Sequence, residues 1–213
     1  MENANTRNPS PKRTDVRRLC ELALLMALIL VMAYTPLGYL VVGPLSLSFL
    51  TIPVAIGAML LGPSAGALLG VVFGMTSFFN MMQGKSVMGT ALFAVSPWRS
   101  FLLAVVARLL CGLCAGLVYL AAKKLLKGRT RLCCAIGGIA TPLLNTLFYM
   151  SALVLLFYNC EYVQNLVVSL GVTNPFSFVV ALVGAQGLLE AVVGCVISTA
   201  VTVPLLKYVH KEG

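Results

Sequence analysis

Hydrophobic positions in this chain gather into six runs, at about 19–34, 47–61, 64–80, 99–122, 132–157 and 177–206, separated by shorter stretches richer in polar and turn-forming residues. A helix needs roughly 20 mainly apolar residues to cross about 30 Å of hydrocarbon, and the runs are close to that length. The pattern predicts an all-α integral membrane protein built as a bundle of six transmembrane helices, with a membrane domain over residues 19–206. Before it lies a polar, basic tail over 1–18, "MENANTRNPSPKRTDVRR", expected to be disordered or interfacial at least as far as Ser10. After it comes a short tail over 207–213. The first run alone has the length of a signal-peptide core, but no small-x-small cleavage site follows it and the rest of the chain is equally apolar.

Composition strengthens this reading: 60% of residues are hydrophobic and 10% charged, where a soluble domain carries roughly a quarter charged. The formal net charge of +9 does not point to nucleic acid, because the cations cluster beside apolar runs instead of lining a face. They read as topology signals. Arg7, Lys12, Arg13, Arg17 and Arg18 precede the first run, Lys123, Lys124, Lys127, Arg129 and Arg131 lie between the fourth and fifth, and Lys207 and Lys211 follow the sixth; Lys85 and Arg99 fall on the other side. The positive-inside rule then puts both termini in the cytoplasm. Residues 35–46, 81–98 and 158–176 become outward loops, longer than a turn requires, whereas Gly62-Pro63 is a tight inward turn.

Glycine recurs at every fourth position in "GPSAGALLGVVFG": Gly62, Gly66, Gly70 and Gly74. In water each would cost roughly 1 kcal/mol relative to Ala. In lipid, small residues at that spacing let helix backbones approach closely, so the stripe predicts a packing seam. Gly112 and Gly116 repeat the device on the fourth run, and Gly184, Gly187 and Gly194 do so more loosely on the sixth.

Three polar residues fall near mid-depth: Arg108, Asn145 and Glu190. A charge there costs at least a few kcal/mol, so it needs a reason. Either Arg108 and Glu190 form a bridge that fixes helix register, or one of them faces a cavity and binds a polar ligand. Nearer the outer surface lie Thr76, Asn80, Lys85, Ser96, Trp98, Arg99, Tyr149, Asn174 and Gln186, which offer amides, hydroxyls, an aromatic wall and two cations for an anionic ligand. Trp98 equally suits an interfacial anchor. The seven cysteines sit mostly in or beside apolar segments, with His210 the one histidine; they read as buried thiols, and no metal or cofactor is expected. Neither a hydrolytic constellation nor a Walker motif is present, so enzymatic activity is not expected either.

Against this background the stretch "TPLGYLVVGPLSLSFLTIPVAIGAMLLGPSAGALLGVVFGMTSF", residues 35–78, joined by "SPW", "ARLLCGLCAGLVY" and "LNT" further on, resembles the substrate-binding S components of energy-coupling-factor vitamin transporters. The resemblance covers nearly the whole chain, and its loop pattern is most similar to the pantothenate-type branch. It implies a multi-pass subunit of a bacterial-type cell membrane, in contact with lipid, with a vitamin site near the outer side formed by the first outer loop and the later helices. The partners implied are a transmembrane coupling subunit and two ATPase subunits. An Ala-x-x-x-Ala motif docks on the coupling subunit in that family, and Ala23 and Ala27 hold its spacing here. A pantothenate carboxylate would suit Arg99, Lys85 or Arg108, and its amide and hydroxyls would suit Asn80, Asn145 and Tyr149. Other vitamins of the folate, riboflavin or cobalamin type remain open. So does a stand-alone secondary transporter using an Arg108/Glu190 relay.

Overall fold

The computed structural model describes residues 13–35, 38–42, 45–126, 129–172 and 174–208. Eight helices and one hairpin are built from them: α1 (Arg13–Tyr34), β1 (Tyr39–Val42), β2 (Leu45–Ser48), α2 (Thr51–Leu61), α3 (Pro63–Met82), α4 (Val87–Val95), α5 (Pro97–Leu125), α6 (Thr130–Phe157), α7 (Glu161–Ser169) and α8 (Pro175–Tyr208). Residues 1–12 of the basic tail, Lys127, and residues 209–213, with His210 and Lys211, lie outside the described residues. Arg13–Arg18, expected in the tail, instead form the opening turns of α1.

The hydrophobic runs map onto helices. Four segments are long and apolar enough to cross a membrane: Pro63–Met82, Pro97–Leu125, Thr130–Phe157 and Gly187–Lys207. The second run behaves differently from expectation. Its first residues belong to β2, and α2 has 11 residues, which at 1.5 Å per residue is roughly 16 Å, about half a hydrocarbon thickness. The helix compensates by lying inside the bundle against α1, α3, α5, α6 and α8, with every residue but Leu60 buried. Its Val54, Ile56 and Leu61 share a core with Leu25 and Ile29 of α1 and Leu69 and Phe73 of α3. The first loop, 35–46, carries the hairpin, an addition to the all-α reading, and the other two long loops carry the short helices α4 and α7.

The glycine stripe works backbone to backbone. A Cβ on Gly66 would strike the carbonyl of Gly112, and one on Gly70 the carbonyl of Arg108; on Gly74 it would stand 2.7 Å from the Cα of Val105. Gly112 faces Gly66 in return, and Gly116 faces Pro63. As one helix's numbers rise the other's fall, so α3 and α5 run antiparallel in near-contact, held by dispersion and Cα–H···O contacts. A second seam joins α6 to α8, where a Cβ on Gly194 would lie 3.1 Å from the carbonyl of Gly138 and 3.2 Å from the Pro142 ring. Gly184 and Gly187 add little to it.

Gly62, counted with the stripe, serves a different purpose. It has φ of 93° and open space where a Cβ would be, a conformation that is essentially glycine's alone. It turns the chain from α2 into α3, whose first residue, Pro63, suits a helix start. Arg18 closes that corner by donating from Nη2 to the carbonyl of Leu61 at 2.6 Å, a cation on the exposed carbonyls of a helix C-terminus.

Gly70→Ala should lower stability by roughly 1–3 kcal/mol, because the methyl meets main chain that cannot rotate away. Gly184→Ala, with nothing within 4 Å of the new methyl, should be neutral. Thermal unfolding of both variants in detergent decides the matter, and equal midpoints would contradict the seam.

Candidate functional site

α5 starts at Pro97 and carries Lys123 and Lys124 in its last turn, which suits its dipole. Midway along it stands Arg108, 7% exposed. Because the seam sets α3 against the backbone of Arg108, Phe73, less than one turn beyond Gly70, meets the guanidinium with its ring centroid 4.8 Å from Cζ. The ring of Tyr149, from α6, lies 4.8 Å away as well. Nη1 donates to the carbonyl of Ala104 at 3.1 Å, one turn back in the same helix, while Nε has no partner among the described residues. Two rings can return on the order of 1–2 kcal/mol each to a desolvated cation, but they leave its hydrogen-bonding edge unsatisfied.

Asn145 stands at the corresponding level of α6. Cys111 donates its thiol to the carbonyl of Thr141 at 3.3 Å, which aligns α5 with α6. One turn from that contact, toward the hairpin end, each helix presents its polar residue, Arg108 on α5 and Asn145 on α6. Asn145 is buried and its Oδ1 accepts no hydrogen bond from the described residues. From α3, Asn80 donates through Nδ2 to the carbonyl of Ala33 at 3.5 Å, tying the end of α1 to the bundle, and its Oδ1 likewise has no partner among the described residues.

The hairpin closes the group. Phe49 N–H donates to the carbonyl of Gly38 at 3.0 Å, and Tyr39 pairs with Ser48 in the adjoining register position. Antiparallel pairs alternate in type, so the Tyr39–Ser48 pair turns its N–H groups outward. Ser48 N–H therefore points away from β1, and Glu190 of α8 accepts it through Oε1 at 2.7 Å. On the other strand the Tyr39 phenol is buried among Arg108, Ser77, Asn80 and Thr76. Its oxygen still makes no hydrogen bond of ordinary geometry, and neither does Ser48 Oγ.

The cluster thus gathers buried polar atoms left unmatched among the described residues: Tyr39 Oη, Ser48 Oγ, Asn80 Oδ1, Arg108 Nε and Asn145 Oδ1. Each such atom costs about 1–3 kcal/mol, so a group of them asks for a function. Ser100, Thr199 and Thr202 also hold unmatched hydroxyls, on the first turn of α5 and the far half of α8.

Arg108 and Glu190, expected as a possible bridge, form no ion pair with each other among the described residues; Arg108 is held by rings and Glu190 takes the Ser48 N–H. Three of the expected residues lie exposed at helix ends. Lys85 stands over the Tyr34 ring at 4.9 Å, Arg99 Nη1 reaches the carbonyl of Leu156 at 3.4 Å, and Trp98 stacks on Phe101. Gln186 is on α8 with its side chain outside the described residues. Tyr39, Ser48, Ser77 and Phe73 were not singled out by the sequence. The signal for the first two was present in "LSLSF", whose strict alternation after Gly43-Pro44 is that of a strand following a turn.

The family model described as "ECF transporter, substrate-specific component" matches residues 17–203, and the chain belongs to that family. It is therefore a membrane protein that contributes the small-molecule-binding part of a transporter and associates with an energy-coupling-factor module. The chain is also similar to the pantothenic acid transporter PanT of Lactococcus lactis subsp. cremoris, with 28% identity over 175 residues that cover 77% of this chain and 80% of that protein.

A buried cation kept for function is expendable for folding. Ligand-free Arg108→Met should unfold in detergent at the wild-type temperature or above it, since an apolar side chain of similar length removes the desolvation penalty. A midpoint several degrees lower would make the guanidinium a structural element.

Proposed function

We propose that this chain is the vitamin-capture subunit of an ATP-driven importer, that it binds pantothenate from outside the cell, and that it docks on a transmembrane coupling subunit served by two ATPase subunits. The observation that carries the substrate is the unmatched polar set around Arg108. It offers one charged donor edge, two amide oxygens as acceptors and two hydroxyls. Pantothenate presents a carboxylate, one amide N–H and two hydroxyls, which complement that set. The carboxylate goes to Arg108, whose flanking rings hold the guanidinium plane for it; Asn80 and Asn145 take the amide and a hydroxyl. Similarity to the lactococcal pantothenic acid transporter supports the same choice. Riboflavin has no carboxylate for Arg108, and the relay reading lacks its Arg108–Glu190 pair.

In the membrane the bundle has six spans, α1, α2 with the hairpin above it, α3, α5, α6 and α8, and both termini are cytoplasmic. The cations at one end support this: Arg17 and Arg18 on α1, Lys123 and Lys124 closing α5, Arg129 and Arg131 at the start of α6, and Lys207 closing α8. The polar cluster then lies toward the outward half. Ala23 and Ala27 are exposed on α1, opposite the face that buries Leu25, Ile29 and Ala33 in the core. That flat strip of small side chains suits a helix of the coupling subunit. Transport follows if the loaded, outward-facing state and the docked, inward-open state differ in their affinity for the vitamin.

Titration of purified protein with labelled pantothenate, with other vitamins as competitors, should give saturable binding that only pantothenate displaces. Arg108→Met should weaken it by roughly 30-fold or more, the cost of removing one partner from a buried charged contact. Competition by a different vitamin would keep the family and replace the substrate. Ala23→Trp combined with Ala27→Trp should abolish uptake by cells that carry the coupling module yet bind pantothenate as the wild type does; loss of both activities together would count against docking there.

A further inference from the structure

The two rings that meet Arg108 come from different hydrophobic cores. Phe73, 1% exposed, is fixed in the core shared by α1, α2 and α3. Tyr149 is half-buried and packs against a separate core built around Leu153 and Phe157 of α6. The guanidinium stands where the two cores face each other, with Cζ 4.8 Å from each ring centroid. One of its nitrogens is also engaged: Nη1, on the Cδ side of the group, donates to the carbonyl of Ala104 at 3.1 Å. That bond occupies one arm of the fork formed by the two terminal nitrogens. The other edge carries the Nε–H and an Nη2 N–H side by side, a fork whose spacing matches the two oxygens of a carboxylate. Nε on that edge is buried and unmatched among the described residues.

An arginine side chain turns about several bonds, and its charge alone does not keep one edge toward a ligand. Rings against the guanidinium and the Ala104 carbonyl at Nη1 do. Resting on the pantothenate reading, we propose that Tyr149 is a positioning residue: its ring, opposed to the rigid Phe73, holds Arg108 so that the Nε–Nη2 edge receives both oxygens of the carboxylate side-on. The ring does this work and the phenol hydroxyl does not. Selectivity at this end of the ligand therefore depends on the orientation of the cation as well as on its charge. A point charge at the same place, such as an ammonium group, would not reproduce it.

Dissociation constants of full-length protein for pantothenate and for pantothenol, in which a hydroxyl replaces the carboxylate, measure the preference for the carboxylate. Tyr149→Phe keeps the ring and should leave that preference within about twofold of wild type. Tyr149→Leu removes the ring and should lower it roughly 5- to 10-fold, with saturable pantothenol binding showing that the protein is folded. Tyr149→Met, closer in length, should do the same, so a poorly folding leucine variant does not decide the matter. Arg108→Lys, which keeps the charge without the fork, should lower the preference about tenfold or more. Loss of both ligands by one factor in the leucine and methionine variants, or no change in either, would make Tyr149 a mere wall of the cavity. Failure of both variants to fold would make it a structural residue. A phenylalanine variant as impaired as the leucine one would give the role to the hydroxyl, and a lysine variant that keeps the preference would show that charge suffices. Each of these overturns the proposal while the pantothenate reading stands. A wild-type protein that does not bind pantothenate, or binds pantothenol as well, overturns that reading, and this proposal with it.

Discussion

Everything at the polar cluster depends on how closely α3 and α5 approach. In hydrocarbon no water is expelled when two helices meet, so association rests on contact area and dispersion, which fall off steeply with distance. Glycine at positions 66, 70 and 74 on one side and 112 and 116 on the other brings main chain onto main chain. The register that results is specific, since Gly70 lies on the carbonyl of Arg108. In that register Phe73 reaches the guanidinium, and α3 delivers Thr76, Ser77 and Asn80 to the same region.

The bundle around this seam holds a tension between stability and function. A membrane interior disfavours a charge with an unfilled hydrogen bond, yet Arg108 is kept among two rings and a single carbonyl of its own helix. Two asparagine oxygens and two hydroxyls nearby are similarly unfilled. Apolar residues would stabilise the empty fold better. What the polar set gains is a preorganised surface, whose donors and acceptors are already dehydrated and oriented when a complementary molecule arrives. α2 contributes by being short: because it stops about halfway, the hairpin can descend over the bundle and bring Tyr39 and Ser48 to residues of α3, α5 and α8.

Hydrophobic runs, seam glycines and deep polar residues were legible in the sequence because each has a one-dimensional signature: run length, fourfold spacing and depth counted from a run's end. The partner of Arg108 was not. Opposite charges at equal depth point to each other, but whether they meet depends on which helices are neighbours, and here the rings of Phe73 and Tyr149 reach the cation while a strand N–H takes the acid. Lys85, Trp98 and Arg99 looked suitable by residue type, although their chain positions at helix ends leave them exposed on Tyr34, Phe101 and Leu156. The hairpin straddled the expected boundary between the first outer loop and the second apolar run, and its strands of four residues are short, so the alternation in "LSLSF" was easily passed over.

Thermal unfolding of the purified protein across a pantothenate concentration series tests most directly whether the polar set around Arg108 is the substrate site. A ligand that binds only the folded state raises the midpoint progressively once its concentration exceeds the dissociation constant. The midpoint should climb in the wild type, and in Arg108→Met the climb should begin only at concentrations roughly 30-fold higher or more. A flat wild type, or an equal climb in both proteins, would contradict the account.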